Sequence, residues 1–257
     1  PAPRRNGVKV TSGHFQPALD GPITAFAFDF DSTSLVTLDA ADPATIQPLA
    51  NLGDLTPTAG AFVDEDFSKL YAIDFRRFHL LTIDTTTGAS TVIGTADSPG
   101  LGWTGLSCYA STTTLYVVTY SRSRGGFTSN LYTVDPVTAA TSRIGPITGI
   151  GDPDSGTLVG ALAVDSSGLM YGIDLVADDF VAIDKTTGAA QVIGSLGFDA
   201  NYAQAMAFDD YTGPLDYAAF NNSVGEAEIY TIDPASSALN LLSPIGADPF
   251  NPQIDAF

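Results

Sequence analysis

The chain has 257 residues, 44% of them hydrophobic and 15% charged, with 29 acids against 10 bases for a net charge of −19. That hydrophobic content can fill a continuous all-β core, and the negative field excludes nucleic acid and anionic membrane as partners. A single cysteine, Cys108, rules out an internal disulfide framework and a Cys-based zinc site, and no apolar run approaches the roughly 18 residues of a membrane helix.

The chain opens Pro1-Ala2-Pro3 without methionine or a visible signal peptide, which reads as a processed mature form or a piece cut from a longer chain. Residues 1–22 carry Arg4, Arg5 and Lys9 and no acid before Asp20, and Val8-Lys9-Val10-Thr11 alternates like a strand. A basic strand on an acidic body is expected to dock on its own sheet or to pair with a neighbouring copy by strand addition. Head-to-tail addition that fails to close builds a fibre.

From residue 23 onward a strand-like run ends in an aspartate at Asp39, Asp84, Asp135, Asp184 and Asp233. Self-similarity at roughly fifty residues marks a repeat architecture. The second repeat resolves into Ala61–Asp64, Leu70–Asp74, Leu80–Asp84 and Ser90–Ile93, each short, rich in β-branched and aromatic residues, and bounded by turn formers. Four antiparallel strands per repeat make one propeller blade, and no window carries a helical period. In Asp84-Thr-Thr-Thr-Gly88 and Asp184-Lys-Thr-Thr-Gly188 the aspartate is expected to accept backbone N–H groups across the turn, with glycine closing it at positive φ. The second-strand tyrosines Tyr71, Tyr116, Tyr171 and Tyr217 read as packing between blades.

Repeats two to five supply four strands each, with first strands starting near Ala61, Gly105, Ala161 and Ala205. The first repeat lacks its innermost strand: 25–29 aligns with a second strand, Leu35–Asp39 with a third and Ile46–Leu49 with a fourth. The last residues, Ile254-Asp255-Ala256-Phe257, match the innermost strands of other repeats. The expected fold is therefore an all-β, five-bladed β-propeller of four-stranded antiparallel blades over 23–257, its ring closed by the C-terminal strand, with an N-terminal extension over 1–22. Closure removes an open blade edge, and burying Ile254 and Phe257 is worth roughly 1.5–3 kcal/mol each. The repeat unit, Leu-Tyr-x-Ile-Asp followed by Ile-Asp-x-x-Thr-Gly-Ala-x-x-x-Ile-Gly, resembles a group of secreted bacterial propeller domains of unknown function, best over 70–94 and 170–194. The resemblance implies an extracellular or cell-surface location and assigns no chemistry.

Candidate functional residues are sparse. His14 and His79 lie far apart in the sequence, no phosphate-cradling loop is present, and nothing singles out a carboxylate pair. Propeller topology puts the loops from fourth to first strands and from second to third strands on one rim. Trp103 and Tyr202 lie there and could stack on a sugar ring. Arg76, Arg77, Arg122 and Arg124, four of the ten bases, fall in the second-to-third-strand loops of blades 2 and 3, where they suit an acidic glycan or a sister molecule. Asp152 and Asp154 offer oxygen ligands around a tight turn, which suits calcium; no other cofactor is expected. Asn221-Asn222-Ser223 forms a glycosylation sequon.

The leading expectation is an extracellular, non-enzymatic structural or adhesion module, its partners other copies of itself or surface glycans. Assembly is expected through Arg4, Arg5, Val8, Lys9 and Val10 and the closing residues Ile254 and Phe257. A glycan- or calcium-binding propeller is the second reading, and a propeller hydrolase or lyase the third.

Overall fold

A computed structural model describes residues 24–29, 32–39, 42–64, 66–96, 100, 102–208 and 214–245. The N-terminal extension, its assembly residues Arg4, Arg5, Val8, Lys9 and Val10, and the closing residues Ile254 and Phe257 all lie outside that description.

Five antiparallel sheets follow one another along the chain. Blade 1 contains β1 (Thr24–Asp29), β2 (Ser34–Asp39) and β3 (Asp42–Asn51), and blade 2 contains β4 (Pro57–Phe62), β5 (Lys69–Asp74), β6 (His79–Asp84) and β7 (Ser90–Thr95). Blade 3 is formed by β8 (Gly102–Tyr109), β9 (Thr114–Ser123), β10 (Gly126–Val134) and β11 (Thr141–Pro146). Blade 4 has β12 (Val159–Val164), β13 (Met170–Asp174), β14 (Asp179–Ile183) and β15 (Ala190–Ser195). Blade 5 ends the series with β16 (Ala200–Phe208), β17 (Leu215–Asn221), β18 (Glu226–Ile232) and β19 (Leu239–Pro244). One 3₁₀ turn at Ala110–Thr112 is the sole helical element among the described residues. The molecule is a five-bladed β-propeller.

Blade 1 shows three strands among the described residues, and β1 touches β4 as β5 touches β8 and β9 touches β12. It therefore occupies the second-strand lane, as the sequence offset requires. The ring closes through its packing: Ala218 and Ile229 of blade 5 bury against Ala27 and Val36 of blade 1. Apolar clusters likewise fill the other four blade interfaces. Strands β4, β8, β12 and β16 line the axis, and each has a register irregularity near its start. Those first strands begin two to five residues earlier than the apolar pattern predicts, because residues such as Pro57 and Thr58 carry no apolar signal.

The outer edge explains the Ile-Gly of the repeat. Every blade places one extra residue in its fourth strand, at Leu49, Ile93, Ile144, Ile193 and Leu242. The residue after each bulge meets the third-to-fourth-strand turn of the next blade: Ala50 meets Gly88, Gly94 meets Ala139, Gly145 meets Gly188, and Gly194 meets Ser237. A Cβ on Gly88 would overlap that of Ala50, one on Gly94 would stand 3.0 Å from that of Ala139, and one on Gly194 would overlap the Ser237 hydroxyl. In three of these pairs one member lacks a side chain; at Gly145 and Gly188 a Cβ on either would meet backbone, Thr187 O at 2.4 Å and Pro146 O at 2.6 Å, so both are bare. The turn residue is left-handed throughout, at φ +70° in Gly88 and +61° in Ala139.

One tyrosine leaves its lane. Leu215 pairs with Ile232 as Leu70 pairs with Ile83, so Asp216 stands where Tyr71 does and Tyr217 falls one place later. A one-residue offset turns a side chain to the opposite face. Tyr217 accordingly packs back toward blade 4, with its hydroxyl donating to Gln204, whereas Tyr71 faces forward into blade 3.

Gly88→Ala is expected to cost about 1–3 kcal/mol of unfolding free energy through overpacking and its left-handed φ of +70°, with Ala50→Gly in the same chain recovering the overpacking part only. Urea denaturation of the two single variants and the double variant measures that coupling.

Candidate functional site

On the rim bearing the second-to-third-strand loops, the upper rim below, the arginines gather on one side, where Asp54, Asp74 and the Asp152–Asp154 turn accompany them. Over blades 2 and 3 stand Arg76, Arg77, Arg122 and Arg124. Over blades 4 and 5 stand Asp174, Asp178, Asp179 and Asp199.

Arg77 is held in place. Its guanidinium donates to the Asp54 carbonyl at 2.5 Å and pairs with the Asp54 carboxylate at 3.6 Å and with Asp74 at 3.7 Å. Asp74 is fully buried; its Oδ1 accepts the backbone N–H groups of Arg76 and Arg77, and its Oδ2 accepts that of Thr56. A carboxylate at the end of the second strand thus folds the loop and orients the arginine. Arg76 is exposed and makes no ion pair among the described residues. Both arginines line a cleft of about 480 Å³ with Thr33, Gly53, Asp54 and Thr56.

The two arginine loops converge, joined by a feature that sequence reading missed. Phe75 lies parallel to Tyr120, ring centroids 6.4 Å apart, and Tyr120 meets Phe127 at 6.3 Å. All three rings are half-buried. Arg122 sits over Phe127 with its guanidinium 5.0 Å from the ring centroid, and Arg124 is exposed at the hairpin tip. This ladder exists because β9 and β10 run for 10 and 9 residues, against 5 to 7 in the second and third strands of the other blades. The available signal was the long alternating stretch Thr119-Tyr-Ser-Arg-Ser-Arg124.

Trp103 does not reach the surface. It is 0% exposed and packs edge-on against Tyr132 at 5.6 Å, so the expected sugar-stacking indole is a core residue. Tyr202 lies in β16, within its register irregularity. Asp152 builds a turn: its Oδ1 accepts the N–H groups of Asp154 and Ser155 at 2.9 and 2.8 Å, and those bonds lower its pKa. Among the described residues no group of three His, Cys, Asp or Glu side chains is placed to hold a metal ion. The third-strand aspartates behave as the turn chemistry requires. Asp84, Asp135, Asp184 and Asp233 accept local backbone and hydroxyl donors, which hold their carboxyls below the usual value.

Cys108 is buried beside the axial channel, and desolvation pushes its thiol up to about 11, which leaves it unreactive near neutral pH. The sequon asparagine, Asn221, is 6% exposed and donates to Glu228 at 2.8 Å, so its amide is closed to a glycan in the folded state.

Asp174 occupies in blade 4 the place of Asp74, with Ala177 where blade 2 has Arg77. It is 0% exposed, accepts from Leu158 and Val176 at 3.1 Å, and leaves Oδ2 without a partner. Burial, followed by the charges of Asp179 and Asp178, raises its pKa against those hydrogen bonds. Asp178 and Asp179 are raised as well, chiefly by desolvation.

No family model and no curated protein matches the chain. Solved structures do match. A nidogen/laminin complex chain is 12% identical with a TM-score of 0.56, over 91% of this chain and 84% of that one. A Bacteroides thetaiotaomicron protein of unknown function is 14% identical with a TM-score of 0.55, over 91% of this chain and 58% of its own. The periplasmic gluconolactonase of Pseudomonas aeruginosa is 11% identical with a TM-score of 0.51, over 88% of this chain and 83% of that one. These likenesses establish the propeller fold. They also correct the expectation of a chain without enzymatic activity: it rested on the lack of a recognisable catalytic set, the spare N-terminal strand and the segregated charge, and a gluconolactonase shares this architecture.

A folded chain with a raised Asp174 pKa holds a proton where the unfolded chain has released it. That contribution to stability is present below about pH 4 and is lost as pH rises through the folded pKa. Asp174→Asn is therefore expected to stabilise at pH 7 by an amount on the order of 1 kcal/mol, with the gain shrinking toward pH 3.5. Urea midpoints at the two pH values check the sign.

Proposed function

We propose that this chain is a ligand-engaging propeller of the enzyme-like kind, recognising an acidic saccharide on the upper rim over blades 2 and 3. The observation that carries the reading is Arg76, exposed in the rim cleft and without an ion pair among the described residues, with the half-buried Phe75 next to it in the chain. A guanidinium offers a planar fork of donors to a carboxylate, and an aromatic ring offers an apolar face to a pyranose. Arg77 is engaged by Asp54 and Asp74, so Arg76 supplies the unpaired charge of the cleft. The acids over blades 4 and 5 repel the same ligand, which confines it to one sector.

The setting we assign is the cell surface or extracellular space. It is supported by a composition with ten bases and one cysteine and by the resemblance of the repeats to secreted bacterial propeller domains.

A glycan array carrying uronate-containing, sulfated and neutral saccharides tests the proposal, with mass spectrometry of the recovered sugars to detect turnover. Binding is expected to the anionic members alone, and Arg76→Ala should weaken it about tenfold, the loss of one charge-assisted contact. Retention of neutral saccharides only, or an Arg76→Ala variant that binds as before, would overturn the reading.

A further inference from the structure

We infer that the ligand is a linear polyanionic saccharide several residues long, held at both ends by arginine and between them by the aromatic ladder. This rests on the acidic-saccharide reading above and extends it to the length and charge pattern of the ligand. The row Phe75–Tyr120–Phe127 begins at the residue that precedes Arg76 in the chain and ends under Arg122, in the hairpin that also carries Arg124. The two centroid steps, 6.4 and 6.3 Å, make a path longer than one pyranose ring. A single acidic sugar could satisfy only one end.

Charge supports a chain of repeated carboxylates. Neither Arg122 nor Arg124 makes an ion pair among the described residues, so the far end of the path also offers uncompensated guanidinium charge. The body carries a net −19, so its mean field opposes a polyanion except where bases gather. The same field disfavours nucleic acid, whose densely spaced phosphates exceed what four arginines can neutralise. A saccharide with one carboxylate per ring and apolar ring faces matches both the cation positions and the rings between them.

Titration calorimetry with mannuronate oligomers of one to six residues tests the inference. Affinity is expected to rise at least about tenfold from monomer to hexamer as the second cation pair engages. The double variant Arg122→Ala/Arg124→Ala should lose that gain for the hexamer and leave the monomer unchanged, while Arg76→Ala should weaken both. Arg122→Lys/Arg124→Lys, which keeps the charge, should retain part of the gain and guards against a folding defect. Equal affinity for monomer and hexamer would overturn the extended site while leaving the acidic-saccharide reading standing. Equal binding of a carboxyl-reduced hexamer would overturn both. Tighter binding of oligothymidylate than of the hexamer, or light scattering showing the arginine face occupied by a second copy, would also defeat the inference.

Discussion

The ring stands on a steric exclusion between neighbouring blades. Where the bulged fourth strand of one blade meets the hairpin turn of the next, there is room for one β-carbon at most. Ala50 faces Gly88, Ala139 faces Gly94, Ser237 faces Gly194, and Gly145 with Gly188 leaves both sides bare. This close approach lets the apolar clusters between blades fill without voids, and interiors packed at such density tolerate little added volume. The repeated Thr-Gly and Ile-Gly dipeptides are thus two halves of one contact, contributed by different blades.

The upper rim follows from the same scaffold with different loops. An aspartate ends the second strand of both blade 2 and blade 4, where it binds the backbone of the following loop. In blade 2 an arginine three residues on neutralises it. In blade 4 alanine holds that place and the carboxyl is left with an orphan oxygen. One substitution in a repeated frame therefore gives an oriented cation on one side and a strained acid on the other.

The architecture was legible in the sequence because it is periodic. Aspartate-terminated third strands, their turn chemistry and the assignment of 25–29 to a second-strand lane follow from spacing and residue type alone. Features that break the period were not legible. Tyr217 falls one place out of step because β17 is shifted by one residue, and a side-chain list cannot reveal which face a residue takes without its partner strand. Trp103 reads as a rim residue from its loop-like neighbours Gly100, Gly102 and Gly105, yet it belongs to β8 and packs between blades 2 and 3 against Tyr132. Convergence of the arginine loops was readable from topology, whereas the aromatic row joining them depends on the overhang of β9 and β10.

The pairing of side-chain-bearing and bare positions between blades also sets a grammar for recombination. An edge ending in Ala50 can be followed only by a turn carrying glycine, and a turn carrying Ala139 or Ser237 can be preceded only by an edge ending in glycine. Duplicated blades that look interchangeable are therefore ordered neighbours. A ring enlarged or reshuffled by gene duplication must inherit its units in compatible sequence or revise both faces of each new seam together.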